Sequence, residues 1–207
     1  MIFREKVSNY ITFGDFFSHF PVSEWLFRKA LQYDIKDKEF LLENLQRDIQ
    51  WIAKNDPAAK NNSEYVDSSY TGALALAAYR LSNYLYQISG LVSEAENLAY
   101  ETYKITSIYI HPNSKIGCPV SIDHGHKTFI GDNCEIGDRC IILNGVKILP
   151  LIKEARLDVC SGSKIKIGSD VVICANTVIS GTQNIGDGVF LKPFTFLKSE
   201  HEKVIMA

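Results

Sequence analysis

The second half of the chain carries an aliphatic residue at every sixth position, often followed by glycine, with small or polar residues between. The spacing begins at residue 110, slips once after residue 122, breaks after residue 148 and resumes at residue 167. The aliphatic positions are Ile110, Ile116, Ile122, Ile130, Ile136, Ile142, Ile167, Ile173, Ile179, Ile185 and Leu191. Hexapeptide repeats are typical of a parallel β-helix, in which three units make one triangular coil and the aliphatic side chains fill the prism.

The first hundred residues show the spacing of amphipathic helices instead. Apolar residues recur at positions 41, 42, 45, 49 and 52, and again from Ala73 through Leu81 to Ile88. Asp56-Pro57 separates these stretches, because the residue before a proline disfavours the helical conformation. Helices are predicted at residues 38–54, 70–88 and 94–105, with one or two short helices around Trp25. The tyrosines and alanines of residues 70–88 are interpreted as packing residues.

These patterns predict an α+β chain of two domains. A helical domain covers residues 1–105, a left-handed parallel β-helix of hexapeptide repeats covers residues 106–200, and a frayed tail covers residues 201–207. The repeat is interrupted at residues 149–158, which we interpret as a loop expelled from one corner of the coil. Loops on a regular scaffold often carry function.

Composition and charge exclude several classes of protein. The chain has 207 residues and a formal net charge of −2, without a long basic run, so nucleic acid is not expected as a partner. No apolar stretch reaches about 18 residues, so neither a membrane span nor a signal peptide is expected. The five cysteines all lie in the repeat half. Cys134 and Cys140 occupy the small fifth place of their units and are interpreted as packing residues, which suits a reduced, cytoplasmic protein. His124 and His126 are the only close pair of histidines, so no metal site is expected.

Several short motifs resemble those of the bacterial serine acetyltransferase family. They are Asp48-Ile49-Gln50, Asn55-Asp56-Pro57-Ala58-Ala59, Ala78-Tyr79-Arg80-Leu81, Ile110-His111-Pro112 and Asp123-His124-Gly125. Their order and spacing match the family from about residue 41 to residue 146, and more loosely to residue 197. The resemblance implies an enzyme that moves the acetyl group of acetyl-CoA to the hydroxyl of L-serine. The acetylated product feeds cysteine synthesis. It also implies a homotrimer with active sites between neighbouring β-helices. Hexamer formation stays open, because the helical domain is shorter than that of the longer family members.

The resemblance also implies roles for individual residues. His124 matches the catalytic base, Asp123 and Asp56 match carboxylates that contact the substrate, and Ala175 matches a small residue beside the arm of coenzyme A. An imidazole that titrates near neutral pH suits removal of the hydroxyl proton, and a carboxylate suits the serine ammonium. Two alternatives stay open. Asp56 is also the kind of residue that caps a turn before proline, and His124 could be an inherited corner residue without chemistry.

The chain departs from the family pattern at several positions. Tyr109 stands where the family has an aspartate that orients the catalytic histidine, and a neutral phenol cannot stabilise an imidazolium as a carboxylate does. Lys164 stands within the segment that replaces the family's Arg-His-Pro, which grips the substrate carboxylate, and lysine is a point charge rather than a fork. Pro193 offers no N–H to the coenzyme groove. Phenylalanines at positions 190, 194 and 196 make the same end of the repeat bulkier.

Three functions therefore remain open from the sequence. The first is an acetyl-CoA-dependent O-acetyltransferase that acts on L-serine or a related acceptor. The second is an acyltransferase with a changed acceptor or acyl donor, which the apolar loop and the missing arginine favour. The third is a homologue that keeps the trimer but serves as a binding or regulatory module, which Tyr109 and Pro193 favour. The final residues lack the isoleucine that the family inserts into its sulfhydrylase partner, so that complex is not expected.

Overall fold

The first part of the molecule is a set of packed helices. The computed structural model describes residues 21–88, 90–150 and 164–198. The helices are α1 (Val22–Gln32), α2 (Lys38–Asn55), α3 (Ser63–Ser69), α4 (Thr71–Gln87) and α5 (Val92–Thr106), and a 3₁₀ turn covers Pro57–Ala59. The helices predicted from the apolar spacing are confirmed as α2, α4 and α5, and α1 contains Trp25. The prediction lacked α3, because this short helix buries only Val66 and so leaves no periodic apolar pattern.

Helix α4 lies at the centre of these helices. Every residue from Gly72 to Ser82 is buried, because α5, α1 and α2 pack around it and its remaining side contacts the strands that follow. A helix that is surrounded on all sides has no solvent-facing stripe, which explains its alanine-rich composition. Among the described helices, none combines the length and the apolar character that crossing a bilayer requires.

The second part of the molecule is a left-handed parallel β-helix, as the hexapeptide pattern predicted. Its short strands are β1 (Tyr109–Ile110), β2 (Lys115–Ile116), β3 (Val120–Ile122), β4 (Phe129–Ile130), β5 (Cys134–Ile136), β6 (Cys140–Ile142), β7 (Lys147–Leu149), β8 (Ile165–Ile167), β9 (Val172–Ile173), β10 (Val178–Ser180), β11 (Gln183–Ile185), β12 (Phe190–Leu191) and β13 (Phe196–Leu197). Every third strand pairs in parallel. Sheet A is β1-β4-β7-β10-β13, sheet B is β2-β5-β8-β11, and sheet C is β3-β6-β9-β12.

The register of the strands stacks the aliphatic positions on one another. In sheet A, Ile110 pairs with Ile130, Ile130 with Ile148, and Ile148 with Ile179, and all four side chains are buried. Burial of each such side chain stabilises the fold by roughly 1.5–3 kcal/mol, so the ladder is the core of the prism. The thiols at positions 134 and 140 are also fully buried, in keeping with a packing role.

One coil is interrupted between sheets A and B. The chain leaves sheet A at Leu149 and enters sheet B at Ile165, whereas the next coil crosses the same corner directly from Ser180 to Gln183. The predicted loop at residues 149–158 falls on this corner, but residues 151–163 lie outside the described part of the chain. The predicted tail at residues 201–207 also lies outside the described residues.

The helices cover the open edge of the first coil and satisfy its backbone. The Tyr79 hydroxyl donates to the Ser114 carbonyl at 2.7 Å and accepts the Ile116 N–H at 2.9 Å. The Asn83 amide donates to the carbonyls of Pro112 and Ser114 at 2.7 and 3.0 Å. A sheet edge normally leaves such groups unpaired, so α4 takes the place of a missing coil.

A buried ion pair continues this cap. The Arg80 guanidinium donates to both carboxylate oxygens of Asp48 at 3.1 Å, to the Ile116 carbonyl at 2.7 Å and to the Gly117 carbonyl at 2.6 Å. Asp48 Oδ1 also accepts the Val120 N–H at 2.9 Å. Because the pair is almost fully enclosed, removal of one partner would leave an uncompensated buried charge at the junction of helices and coil.

Candidate functional site

His124 lies at the corner between sheets C and A, directly after β3. The preceding residue, Asp123, anchors this corner through its N–H, which donates to the Ile142 carbonyl of the next coil at 2.9 Å. The imidazole projects into solvent, with 80% of the side chain exposed. Its Nε2 lies 3.6 Å from Oδ1 of Asp123.

The Asp123 carboxylate is partly buried beside this imidazole. Its Oδ1 is shielded from solvent and receives no hydrogen bond from the described residues. Burial raises the pKa of Asp123, the adjacent His124 lowers it and the carboxylate of Asp56 raises it. A buried carboxylate oxygen without a donor is unfavourable, and a cationic group placed there would relieve it. The corner is therefore suited to a positively charged group next to His124.

Asp56 reaches the same place from the helices. It follows α2, and its Oδ1 accepts the Ala58 N–H at 2.8 Å, which caps the 3₁₀ turn. Its Oδ2 accepts a hydrogen bond from the Tyr70 hydroxyl. The capping interpretation of Asp56 therefore holds, and its carboxylate is also close enough to influence Asp123. The two interpretations of this residue are compatible.

Tyr70 belongs to this group of residues, although the sequence analysis treated it as a packing residue. It directly precedes α4, and its ring meets Tyr65 edge-on at 5.8 Å between centroids. Burial raises the pKa of Tyr70, as do its hydrogen bond to Asp56 and the negative charges of Asp56 and Asp123. The phenol is therefore a protonated donor at neutral pH. We call Asp56, Tyr70, Asp123 and His124 the acidic corner.

A close approach of backbone holds the two halves of the acidic corner together. A Cβ atom at Gly72 would overlap the carbonyl oxygen of Ile122, so only glycine allows α4 to come this near to β3. Gly72 lies two residues after Tyr70, and Ile122 directly precedes Asp123. The contact therefore fixes the distance between the helical and the β-helical members of the corner.

Ala175 lies on the corner that carries His124, further along the prism. Hydrogen bonds between coils mark this corner: Gly145 N–H donates to the His126 carbonyl, and Asn176 N–H to the Asn144 carbonyl, both at 2.9 Å. Coils repeat at about 4.8 Å, which puts the Ala175 coil roughly 10 Å from the His124 coil. The structure thus brings His124 and Ala175 onto one edge, along which an extended ligand could lie.

The last coil presents aromatic side chains along this edge. Phe194 continues the corner, with its N–H donating to the Ala175 carbonyl at 3.0 Å. Phe190, Phe194 and Phe196 are 61%, 76% and 63% exposed. The bulk that the sequence predicted here therefore projects outward from the prism.

Lys164 lies on a different side of the prism from the acidic corner. Its Nζ is 2.5 Å from Oε1 of Glu135 on sheet B, where Lys115 and Lys166 also face the same glutamate. The hydrogen bond from Lys164 holds the pKa of Glu135 below its usual range. Within one chain, the structure does not bring Lys164 together with Asp56, Asp123 and His124.

Tyr109 belongs to a row of aromatic rings on sheet A. Its ring stacks on Phe129 at 4.6 Å between centroids and meets Tyr103 and His111 edge-on. These contacts give Tyr109 a packing role, so the orienting carboxylate of the family has no substitute at this position. Among the described residues, the carboxylate paired with the His124 ring is that of Asp123.

The other acidic residues that could replace the missing aspartate are engaged elsewhere. Asp132 accepts a hydrogen bond from the Asn113 side chain at 2.7 Å, and Asp138 accepts the Cys118 N–H at 2.9 Å. Glu135 binds the lysines of sheet B. The part of the chain that the structure describes contains no group of three His, Cys, Asp or Glu residues suited to a metal ion.

A wide groove of about 670 Å³ runs over sheet B, away from the acidic corner. Its lining includes Tyr79, Asn83, Lys115, Lys166 and Asn184. None of the residues of the acidic corner lines it. Of the residues that the structure describes, no histidine or cysteine lines the groove.

The similarities to known proteins agree with one another. No family model matches the chain. A serine acetyltransferase of Staphylococcus aureus is 33% identical over 152 residues, which are 67% of this chain and 70% of that protein. The solved serine acetyltransferase of Vibrio cholerae is 25% identical with a TM-score of 0.73, and the match covers 82% of this chain and 63% of that one. A serine acetyltransferase solved in complex with CoA is 22% identical with a TM-score of 0.72, and the match covers 82% of this chain and 67% of that one. The chain thus spans less than two thirds of the length of the Vibrio protein.

Proposed function

The chain belongs to the serine acetyltransferase family, and we propose that it transfers the acetyl group of acetyl-CoA to the hydroxyl of L-serine or a related acceptor. The observation that carries this proposal is the acidic corner. An exposed imidazole lies beside a carboxylate whose buried oxygen lacks a donor, and a second carboxylate approaches from the helices. The relatives named above carry the same activity in their names, and one was solved with CoA.

His124 is the proposed general base. As the acceptor oxygen attacks the thioester carbonyl carbon, His124 takes the hydroxyl proton, and a tetrahedral oxyanion forms. The oxyanion then collapses, the carbon–sulfur bond breaks, and the proton returns to the leaving thiolate. The products are the O-acetyl ester and free coenzyme A. Asp123, whose Oδ1 lies 3.6 Å from Nε2, is proposed to stabilise the imidazolium between the two proton transfers.

Asp123 and Asp56 are proposed to bind the ammonium group of the acceptor. An ammonium has three donors, and Oδ1 of Asp123, which lies 3.6 Å from His124 Nε2 but accepts no hydrogen bond from the described residues, can accept one of them. Binding there would bring the acceptor hydroxyl next to His124, and positioning of this kind contributes strongly to the rate. Lys164 is paired with Glu135 on sheet B, so we do not propose it as an acceptor ligand within the same chain.

Acetyl-CoA is proposed to lie along the corner that joins His124 and Ala175. The small side chain at position 175 leaves the backbone open to an extended arm, while the aromatic last coil marks the far end of this edge. The missing N–H at Pro193 removes one donor from that end.

The proposed assembly is a homotrimer in which the corner of one prism faces a neighbouring prism. Two prisms side by side would enclose an extended ligand that one open edge cannot. A cytoplasmic enzyme that supplies an O-acetylated amino acid for cysteine synthesis fits this picture. A solution size measurement that reports a stable monomer would remove the shared-site part of the proposal.

Thiol release from acetyl-CoA in the presence of L-serine tests the proposed function. The wild type should release free coenzyme A, and His124→Ala should lower kcat by about 10²–10⁴-fold, since a general base contributes that much. His126→Ala is the matched control, because His126 is also exposed and lies two residues further along the same corner. Equal release by wild type and His124→Ala would contradict a catalytic role for His124.

A second candidate is transfer of the acetyl group to an amino alcohol that lacks a carboxylate. The observation that favours it is the position of Lys164, whose charge is engaged by Glu135 rather than directed at the acidic corner. Assays with ethanolamine and L-serine side by side separate the candidates. A higher kcat/KM for ethanolamine would favour the second, and a higher kcat/KM for L-serine would favour the first.

A further inference from the structure

Tyr70 holds the Asp56 carboxylate from one side, while the backbone of the 3₁₀ turn holds it from the other. The Tyr70 hydroxyl donates to Oδ2, and the Ala58 N–H donates to Oδ1 at 2.8 Å. A carboxylate that accepts a hydrogen bond on each oxygen has its plane fixed. Removal of the phenol oxygen would therefore free the Asp56 side chain to turn about the remaining bond.

The phenol also stands near the second carboxylate of the corner. The charges of both Asp56 and Asp123 act on Tyr70, whereas only Asp56 accepts its hydrogen bond. Gly72 locks the start of α4 against the carbonyl of Ile122, so Tyr70 cannot move away from Asp123 without unpacking this contact. Tyr70 is thus fixed between two acceptors that belong to different halves of the molecule.

We propose that Tyr70 is a positioning residue for the acceptor, which orients Asp56 so that one ammonium group can meet Asp56 and Asp123 together. This inference rests on the proposed function, because it assumes that the acceptor carries an ammonium group. Tyr70 acts through Asp56 rather than on the reacting atoms. Its removal should weaken acceptor binding and leave the chemical step and the acetyl-CoA site largely unchanged.

The test is steady-state kinetics of coenzyme A release by Tyr70→Phe, with L-serine and acetyl-CoA varied separately. We expect KM for L-serine to rise about tenfold, as for loss of one hydrogen bond to a charged group, with kcat and KM for acetyl-CoA within about twofold. Tyr65→Phe is the matched control, because its ring meets Tyr70 edge-on and phenylalanine keeps that contact. An unchanged KM for L-serine in Tyr70→Phe, or an equal rise in the control, would overturn the inference.

A double-mutant cycle separates positioning from general stability. In an Asp56→Asn background, Tyr70→Phe should add less than about twofold to KM, because the two changes remove one shared contact. A full tenfold additional effect would show that Tyr70 does not act through Asp56. A fall in thermal midpoint, accompanied by similar rises in both KM values and a similar fall in kcat, would assign Tyr70 a structural role instead.

Failure of the proposed function leaves a different signature from failure of this inference. A wild type that turns over L-serine while Tyr70→Phe behaves identically keeps the function and removes the role of Tyr70. If the wild type shows no turnover, calorimetric titration of L-serine into both proteins decides the question. Weaker binding by Tyr70→Phe would support the positioning role, and equal binding or no binding by either protein would overturn it.

Discussion

The two ends of the β-helix solve the problem of an open coil in different ways. At the first coil, side chains of Tyr79, Arg80 and Asn83 replace the hydrogen bonds of a missing neighbour. At the last coil, a Cβ at Gly186 would meet no described residue within 4 Å, whereas earlier glycines meet a following coil, and Phe194 is exposed. The acidic corner lies at the capped end. The residues proposed for the site therefore lie where helices and coil restrain each other.

The largest effect expected from breaking the capped end comes from Arg80→Ala. This change leaves the buried Asp48 carboxyl group without its counter-charge and removes the donors to the Ile116 and Gly117 carbonyls. We expect a loss of about 3–5 kcal/mol in the free energy of unfolding, measured by urea denaturation. Arg139→Ala is the control, because that arginine pairs with Asp170 in solvent and should cause a much smaller change. Equal losses in the two variants would show that the cap does not stabilise the molecule.

The next effect uses two glycines at equivalent places in the repeat. A Cβ at Gly137 would lie 2.7 Å from the Gly168 carbonyl carbon and 2.7 Å from the Ser169 nitrogen, whereas a Cβ at Gly186 would meet nothing within 4 Å in the described part of the chain. Gly137→Ala should therefore destabilise by about 1–3 kcal/mol through overpacking. Gly186→Ala should stay within about 0.5 kcal/mol of the wild type. These two variants test whether the two ends of the β-helix differ. A similar loss in the free energy of unfolding for Gly186→Ala would mean that another element stacks on the last coil.

Asp123→Asn tests how the capped end tolerates its buried carboxylate. Burial raises the pKa of Asp123, so the folded protein binds this proton more tightly than the unfolded chain does. The ionised group therefore lowers stability at neutral pH, and this penalty disappears as the pH falls below the ordinary aspartate pKa of 3.8. Asn, which stays neutral, should leave the thermal midpoint at pH 7 unchanged or raised and make no difference at lower pH.

The same variant should nevertheless lose activity. Removal of the charge that is proposed to bind the acceptor ammonium should lower kcat/KM for L-serine by about tenfold or more at pH 7. In the wild type, kcat/KM should fall on acidification at a pH above the ordinary pKa of an aspartate, because the raised pKa belongs to a group that must be ionised. A variant that loses stability and activity together would contradict this account of Asp123.

The fold could be predicted from the sequence because its rules are local. A six-residue aliphatic repeat allows few structures other than a triangular coil, and the helical spacing of α2, α4 and α5 is a property of each segment alone. Tyr70 could not be found in this way. Its partner Asp56 lies 14 residues earlier, and they meet only because α3 returns the chain to the end of α2. The packing interpretation of the alanine-rich stretch concealed this contact.

The residues proposed for the site were selected from short motifs, but the contacts between them could not be predicted in this way. Asp123 and His124 are adjacent in one motif, and the pairing of their side chains is seen only in the structure. Lys164 was matched to the family's anion-gripping segment by order along the chain, but the prism turns this position toward sheet B, where Glu135 binds it. The sequence of one strand does not indicate on which of the three sheets of the prism its side chains lie. That information arises only when the coils are stacked.

The smallest predicted effect lies at the open end, in the backbone of Phe194. This residue has φ of +61°, a left-handed conformation in which phenylalanine is strained and asparagine is common. Phe194→Asn should raise the free energy of unfolding by about 0.5–1 kcal/mol, because strain is relieved and an exposed ring is removed. Phe196→Asn is the control, since Phe196 is similarly exposed but lies in β13, where no strain is relieved and asparagine is disfavoured. Chemical denaturation at two protein concentrations measures both. A loss of stability in Phe194→Asn at the higher concentration would mean that the ring packs against a second copy of the chain, and the last coil would then be as well covered as the first.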